Sequence, residues 1–162
     1  MFEKPPITVL GVGNTLLSDE GFGVHVIEAL EQEYIFSDNV QFLDGGTMGM
    51  ELMHYIGDVK KLLLIDAIHG EGEPGTVYEF RHDELVHYFT DHVSVHEVGI
   101  QDILRIRHIQ ENPFEDAVVM GAEPLSLDIG LEVTEALLPA LHEVKLRVVN
   151  QLKDWGVEVT KK

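Results

Sequence analysis

Five short aliphatic or β-branched runs, Thr8 to Gly11, Val40 to Leu43, Lys61 to Ile65, Thr76 to Phe80 and Ala117 to Gly121, alternate along the chain with longer segments of helical periodicity. Bounded by turn residues, such runs read as strands. Between them, Gly21 to Tyr34 sets Val24, Ile27, Ala29 and Leu30 near one face, while Met48 to Ile56, Glu97 to Ile109 and Glu132 to Trp155 repeat apolar residues every three to four positions. This alternation predicts an α/β sandwich built on a mainly parallel sheet. One link departs from the pattern. "DAIHGEGEPG", Asp66 to Gly75, is rich in Gly and Pro and shorter than the dozen or so residues of a parallel crossover, so the fourth strand is expected to run antiparallel.

The 162 residues suit a single domain, 1–162, with an ordered core from about 7 to 155 and loose ends at Met1 to Pro6 and Thr160 to Lys162. Eleven Lys and Arg against 29 Asp and Glu give a formal charge of −18. That charge repels phosphate backbones and anionic headgroups over about 8 Å in physiological salt, so neither nucleic acid nor a membrane is an expected partner. The start, MFEKPPITVL, lacks the basic and apolar regions of a secretory signal, and the longest aliphatic run, Leu62 to Ile65, is far too short to span a bilayer; a cytoplasmic location is expected. Cysteine is absent, which excludes disulfides, thiolate nucleophiles, iron–sulfur clusters and Cys-type zinc sites. Any metal must be held by Asp, Glu or His.

The first strand leads into "GVGNTLLSDEGFGV", a glycine-bearing loop before a helix. It is neither of the phosphate-binding forms: Leu16 stands where a dinucleotide fingerprint needs its third glycine, and no Gly-Lys-Ser/Thr precedes the helix. Ser18 and Asp19 read most simply as a helix entry, an acid there capping free N–H groups and complementing the dipole. Glu20 and Asp66 have a second reading. In an open parallel sheet ligands collect beyond the carboxyl ends of the strands; Glu20 leaves the first strand and Asp66 ends the third. Either could be a turn or cap residue; together they suggest a cation site. His96, in "SVHEVG", could supply a nitrogen, although any one of nine histidines is more often a surface or core residue than a ligand. Two carboxylates and an imidazole suit a borderline divalent metal with positions left open. After the second strand, Gly45, Gly46 and Thr47 form either a plain capped turn or a backbone platform for a peptide or anion.

The set "GVGNTLLSDEGFGV", "LDGGTMGMEL", "LLLIDAI", "PGTVYEF" and "SVHEVG", in this order, resembles the hydrogenase maturation proteases, from about Ile7 to Trp155. The resemblance implies a three-layer α/β/α sandwich of the phosphorylase/hydrolase-like kind, with a five-stranded mixed sheet whose fourth strand is antiparallel. It implies a metal-dependent endopeptidase that removes the C-terminal extension of a nickel–iron hydrogenase large-subunit precursor once nickel is inserted. Glu20, Asp66 and His96 would be both catalytic and metal-binding, meeting nickel carried by the precursor, for which other divalent metals can stand in. Gly45, Gly46 and Thr47 would handle substrate. The precursor is the expected partner of a protein expected to be monomeric.

Three rivals share parts of this pattern. A response-regulator receiver also has carboxylates after its first strand and an Asp ending the third, but needs a Lys after the fifth strand, where "VVMGAEP" offers Glu123. A flavodoxin-like carrier would set its flavin phosphate against Asp19 and Glu20. A nickel-dependent maturation chaperone that binds the precursor without cutting it keeps every residue assignment and differs only in outcome.

Overall fold

The computed structural model describes residues 5–46, 56, 58–81 and 114–162. In chain order the elements are β1 (Ile7–Val12), a 3-10 turn (Ser18–Gly21), α1 (Phe22–Glu33), β2 (Tyr34–Phe36), β3 (Val40–Gly46), β4 (Lys61–Ala67), β5 (Val77–Arg81), β6 (Asp116–Ala122), a second 3-10 turn (Glu135–Leu137), α2 (Leu138–Asp154) and β7 (Val159–Lys161). The expected helices over Met48 to Ile56 and Glu97 to Ile109 fall, but for Ile56, outside the described residues, as do His96 and Thr47.

Five strands form one mixed sheet in the order β3-β1-β4-β6-β5. β1 pairs in parallel with β3 and β4, and β4 in parallel with β6; only β5 runs antiparallel, on the edge against β6. The short link after Asp66 had predicted this reversal. Strand residues alternate between the two faces: Ile7, Val9, Leu63, Ile65, Val118 and Met120 pack beneath α1 and α2. Leu10, Val12, Leu62, Leu64, Ala117 and Val119 pack on the other side with Ile56, Val59 and Ile68. With both faces buried, the strands read as continuous aliphatic runs, and the architecture is the expected three-layer α/β/α sandwich.

Two boundaries differ from the sequence reading. The periodicity from Glu132 to Trp155 gives α-helix only from Leu138, because Pro139 occupies the first turn, where its missing N–H costs nothing. At the C-terminus, Val159–Lys161 is not loose: it pairs antiparallel with Tyr34–Phe36, and Ser37 and Glu158 exchange hydrogen bonds beside it. Short polar and exposed strands of this kind carry little apolar periodicity, so only the partner strand reveals them.

Backbone contact at glycine sets α1 on the sheet. A Cβ on Gly23 would collide with the carbonyl oxygen of Ile65 in β4, and one on Gly13, whose φ is +126°, with the carbonyl of Glu20. The glycines of the first motif thus bring loop, helix and strand together at van der Waals distance rather than cradling a phosphate. Gly23→Ala should therefore lower unfolding stability by about 1–3 kcal/mol or more in urea titrations, since the opposing atom is backbone and cannot turn aside; an unchanged midpoint would refute this packing.

Candidate functional site

The carboxyl ends of β1, β3, β4 and β6 lie on one edge of the sheet, and β5 begins there. β1 and β4 are neighbours paired through Gly11 and Ile65. From β1 the chain passes through α1 to β3 on one side, while β4 and β6 lie on the other, so the crevice beyond β1 and β4 is where strand order reverses and ligands collect. Glu20 stands on the 3-10 turn after β1, which packs against β4. Asp66 is the sixth residue of β4, within the strand rather than just past it. Its side chain is fully buried, and its Oδ1 accepts from the Ala67 N–H at 2.8 Å. The fold thus brings Glu20 and Asp66 to adjoining strand ends.

The glycine segment belongs to the same edge. β3 continues through Gly46 instead of stopping at Leu43, with an irregularity in its pairing where Gly46 meets Val12. Gly46 has φ +50°, its N–H donates to Asp44 Oδ1 at 2.8 Å, and its carbonyl accepts from Gly13 N–H at 2.7 Å. Gly45 is buried against Leu10 and Val12. Gly46 is therefore tied directly to the loop that carries Glu20.

Asp19 does not cap α1, as its position had suggested. That helix begins behind Gly21 with no side-chain cap. The carboxylate is instead fully buried and turned toward the segment 125–134, accepting four hydrogen bonds: from Leu125 N–H (2.9 Å) and Ser126 N–H (3.1 Å), and from Thr134 through both N–H (2.7 Å) and Oγ1 (2.9 Å). Ser18, also expected at a helix entry, has φ +51° and donates through Oγ to the carbonyl of Asp128 at 2.7 Å. Carboxylate bonds to backbone N–H groups are charge-assisted and stronger than neutral ones. The acidic turn is thus locked by a loop more than a hundred residues away, and with it the backbone of Glu20. Sequence offers no signal for this pairing.

Glu123 is the other residue whose role only the structure gives. β6 lies between β4 and β5, so the link from Ala67 to Val77 must cross its carboxyl end. Glu123, the next residue after β6, is buried there and accepts at Oε1 from Gly70 N–H (2.8 Å), Gly72 N–H (2.9 Å) and Tyr78 OH (2.9 Å). Its own N–H donates to Thr76 and its carbonyl accepts from Gly75. A receiver's lysine has no place in this arrangement, and the antiparallel β5 excludes the all-parallel receiver sheet. Burial, then the hydrogen bond to Glu123, pushes the Tyr78 hydroxyl above its ordinary pKa.

Among the described residues no group of three His, Asp or Glu side chains is placed to hold a metal ion, and His96 lies outside them. Two carboxylates alone suit a hard or borderline cation only when other donors complete its shell. No helix among the described residues is long and apolar enough to cross a membrane.

A family model described as hydrogenase maturation protease matches residues 24–151. The hydrogenase 2 maturation protease of Escherichia coli K12 is 43% identical over 158 residues, which cover 94% of this chain and 93% of that protein. A hydrogenase expression/formation protein, HupD, of Rhizobium leguminosarum is 38% identical over 161 residues, 96% of this chain and 78% of the relative. In three dimensions the chain superposes on the hydrogenase maturating endopeptidase HybD from E. coli with a TM-score of 0.90 at 36% identity, covering 96% of this chain and 97% of the other.

Asp19→Ala strands three backbone N–H groups, and a buried donor left unpaired costs about 1–3 kcal/mol; we expect a stability loss of at least about 3 kcal/mol, with hydrogen exchange accelerating at the amides of 125, 126 and 134. The raised Tyr78 pKa means that the folded state holds this proton more tightly than the unfolded chain. Its contribution is complete below pH 10 and is lost as pH climbs through the raised value. A phenolate absorbance titration of wild type minus Tyr78→Phe should therefore give a difference curve centred above 10; a midpoint at or below 10 would contradict the assignment.

Proposed function

The chain belongs to the hydrogenase maturation protease family, and from that premise we propose that it is the endopeptidase that trims the C-terminal extension of a nickel–iron hydrogenase large-subunit precursor after nickel insertion. The observation that supports this reading is the packing of the turn that bears Glu20 against β4, the strand that bears Asp66, in a fold shared with a maturating endopeptidase. In this proposal nickel arrives with the precursor and is met by Glu20, Asp66 and His96, the last assigned through its "S-x-H" motif. The protein alone holds metal incompletely, so cleavage waits for a loaded substrate.

The nickel of the precursor supplies Lewis acidity at the scissile region. The chain's own contribution is positional and basic. Glu20 or Asp66 takes the proton of the attacking water, and the peptide is held by the motif Gly45-Gly46-Thr47. The first motif supplies no thiol and no nucleophile elbow, in keeping with direct attack by water. The precursor bound but uncut would instead favour the chaperone reading.

Mixing the protein with nickel-loaded and nickel-free precursor and weighing the products by mass spectrometry tests the proposal: only loaded precursor should lose its C-terminal peptide. Glu20→Gln should abolish that loss by at least about a hundredfold while its far-UV spectrum and melting curve stay those of wild type. Processing by this variant at the wild-type rate would remove Glu20 from the mechanism.

A further inference from the structure

The segment "LSLDIGL", Leu125 to Leu131, is turned inside out. Its even-numbered residues face the acidic turn. Ser126 receives a hydrogen bond from Asp19 N–H at its carbonyl and donates its own N–H to the Asp19 carboxylate, Asp128 accepts from Ser18 Oγ, and Gly130 exchanges backbone bonds with Leu16 and Ser18. The odd-numbered residues are left in solvent: Leu125 is 57% exposed, Leu127 43%, Ile129 91% and Leu131 70%, with Leu16 beside them at 58%. Isolated exposed leucines need no explanation, but a run of them on one ridge marks an interaction surface.

We propose that this ridge is where the large-subunit precursor docks, by a surface with an apolar centre and a basic rim; the proposal rests on the proteolytic reading above. Three observations choose this occupant. The ridge is continuous with the site, because the turn that pins it, Ser18-Asp19, continues directly into Glu20. A partner seated on it meets a segment whose backbone is already pinned beside the turn of Glu20, which spares the entropy that ordering this segment would cost. The rim is acidic, with Asp128, Glu132 and Glu135 all exposed, on a chain of net charge −18. In a two-fold dimer these acids would confront their own copies, a like-charge arrangement that argues against self-association and for a basic partner. Finally, five side chains offer only a few hundred Å², far below an obligate interface of roughly 2,000 Å² or more. That scale suits a protease that must release its product.

Ile129→Ser with Leu131→Ser removes the most exposed part of the ridge and touches nothing proposed to be catalytic. For cleavage of nickel-loaded precursor, KM should rise about tenfold or more while kcat stays within about twofold, and calorimetric affinity for the precursor should fall by the same factor. The melting curve should be unchanged. Unaltered KM and affinity in an active protein overturn the docking surface. So does a wild-type dimer, seen by sedimentation, that the substitutions split without changing KM, since the ridge would then serve a second copy. Failure of the wild type to cut loaded precursor overturns the proteolytic reading alone, because the ridge is then judged by the two affinities.

Discussion

The arrangement depends on one close backbone approach: the first turn of α1 lies directly on the end of β4, with Gly23 against the Ile65 carbonyl. Ile65 is followed by Asp66, and Gly23 is preceded within one turn by Glu20. The same contact that seats the helix therefore sets the separation of the two carboxylate-bearing segments. Gly13 closes the loop from the other side, its N–H bonded to Gly46 and its Cα against Glu20. Side chains at these positions would meet backbone atoms and push the turn off the sheet.

Two buried acids hold the surroundings of that crevice, by the same chemistry. Asp19 and Glu123 each offer a carboxylate to several backbone N–H groups of a loop that has no regular structure. A loop crossing strand ends would otherwise leave those donors buried without acceptors, at a cost of about 1–3 kcal/mol apiece. These two acids are used in building the rim of the crevice.

The acidic balance of the chain acquires a direction from this. A surface with strong negative potential gathers cationic groups and repels copies of itself. Around the ridge of Leu125 to Leu131 it frames an apolar strip with Asp128, Glu132 and Glu135. The apolar strip and the backbone that carries Glu20 are joined by the turn Ser18–Gly21.

Amino-acid order by itself determined the layered α/β fold, the reversed fourth strand and the placement of Glu20 and Asp66 at adjoining strand ends, because these rest on local signals: aliphatic runs, helical periodicity, a link too short for a crossover and acids at strand ends. The start of α2 and the strand Val159–Lys161 were misjudged at their edges, where Pro139 and an exposed partner strand outweigh periodicity. Only tertiary structure decided the work of Ser18, Asp19 and Glu123. An acid before a helix looks like a cap, and an acid after a strand looks like a turn; which N–H groups it meets depends on segments up to 115 residues away. Local sequence carries propensity and period, whereas the satisfaction of a buried charge is a property of the assembled fold.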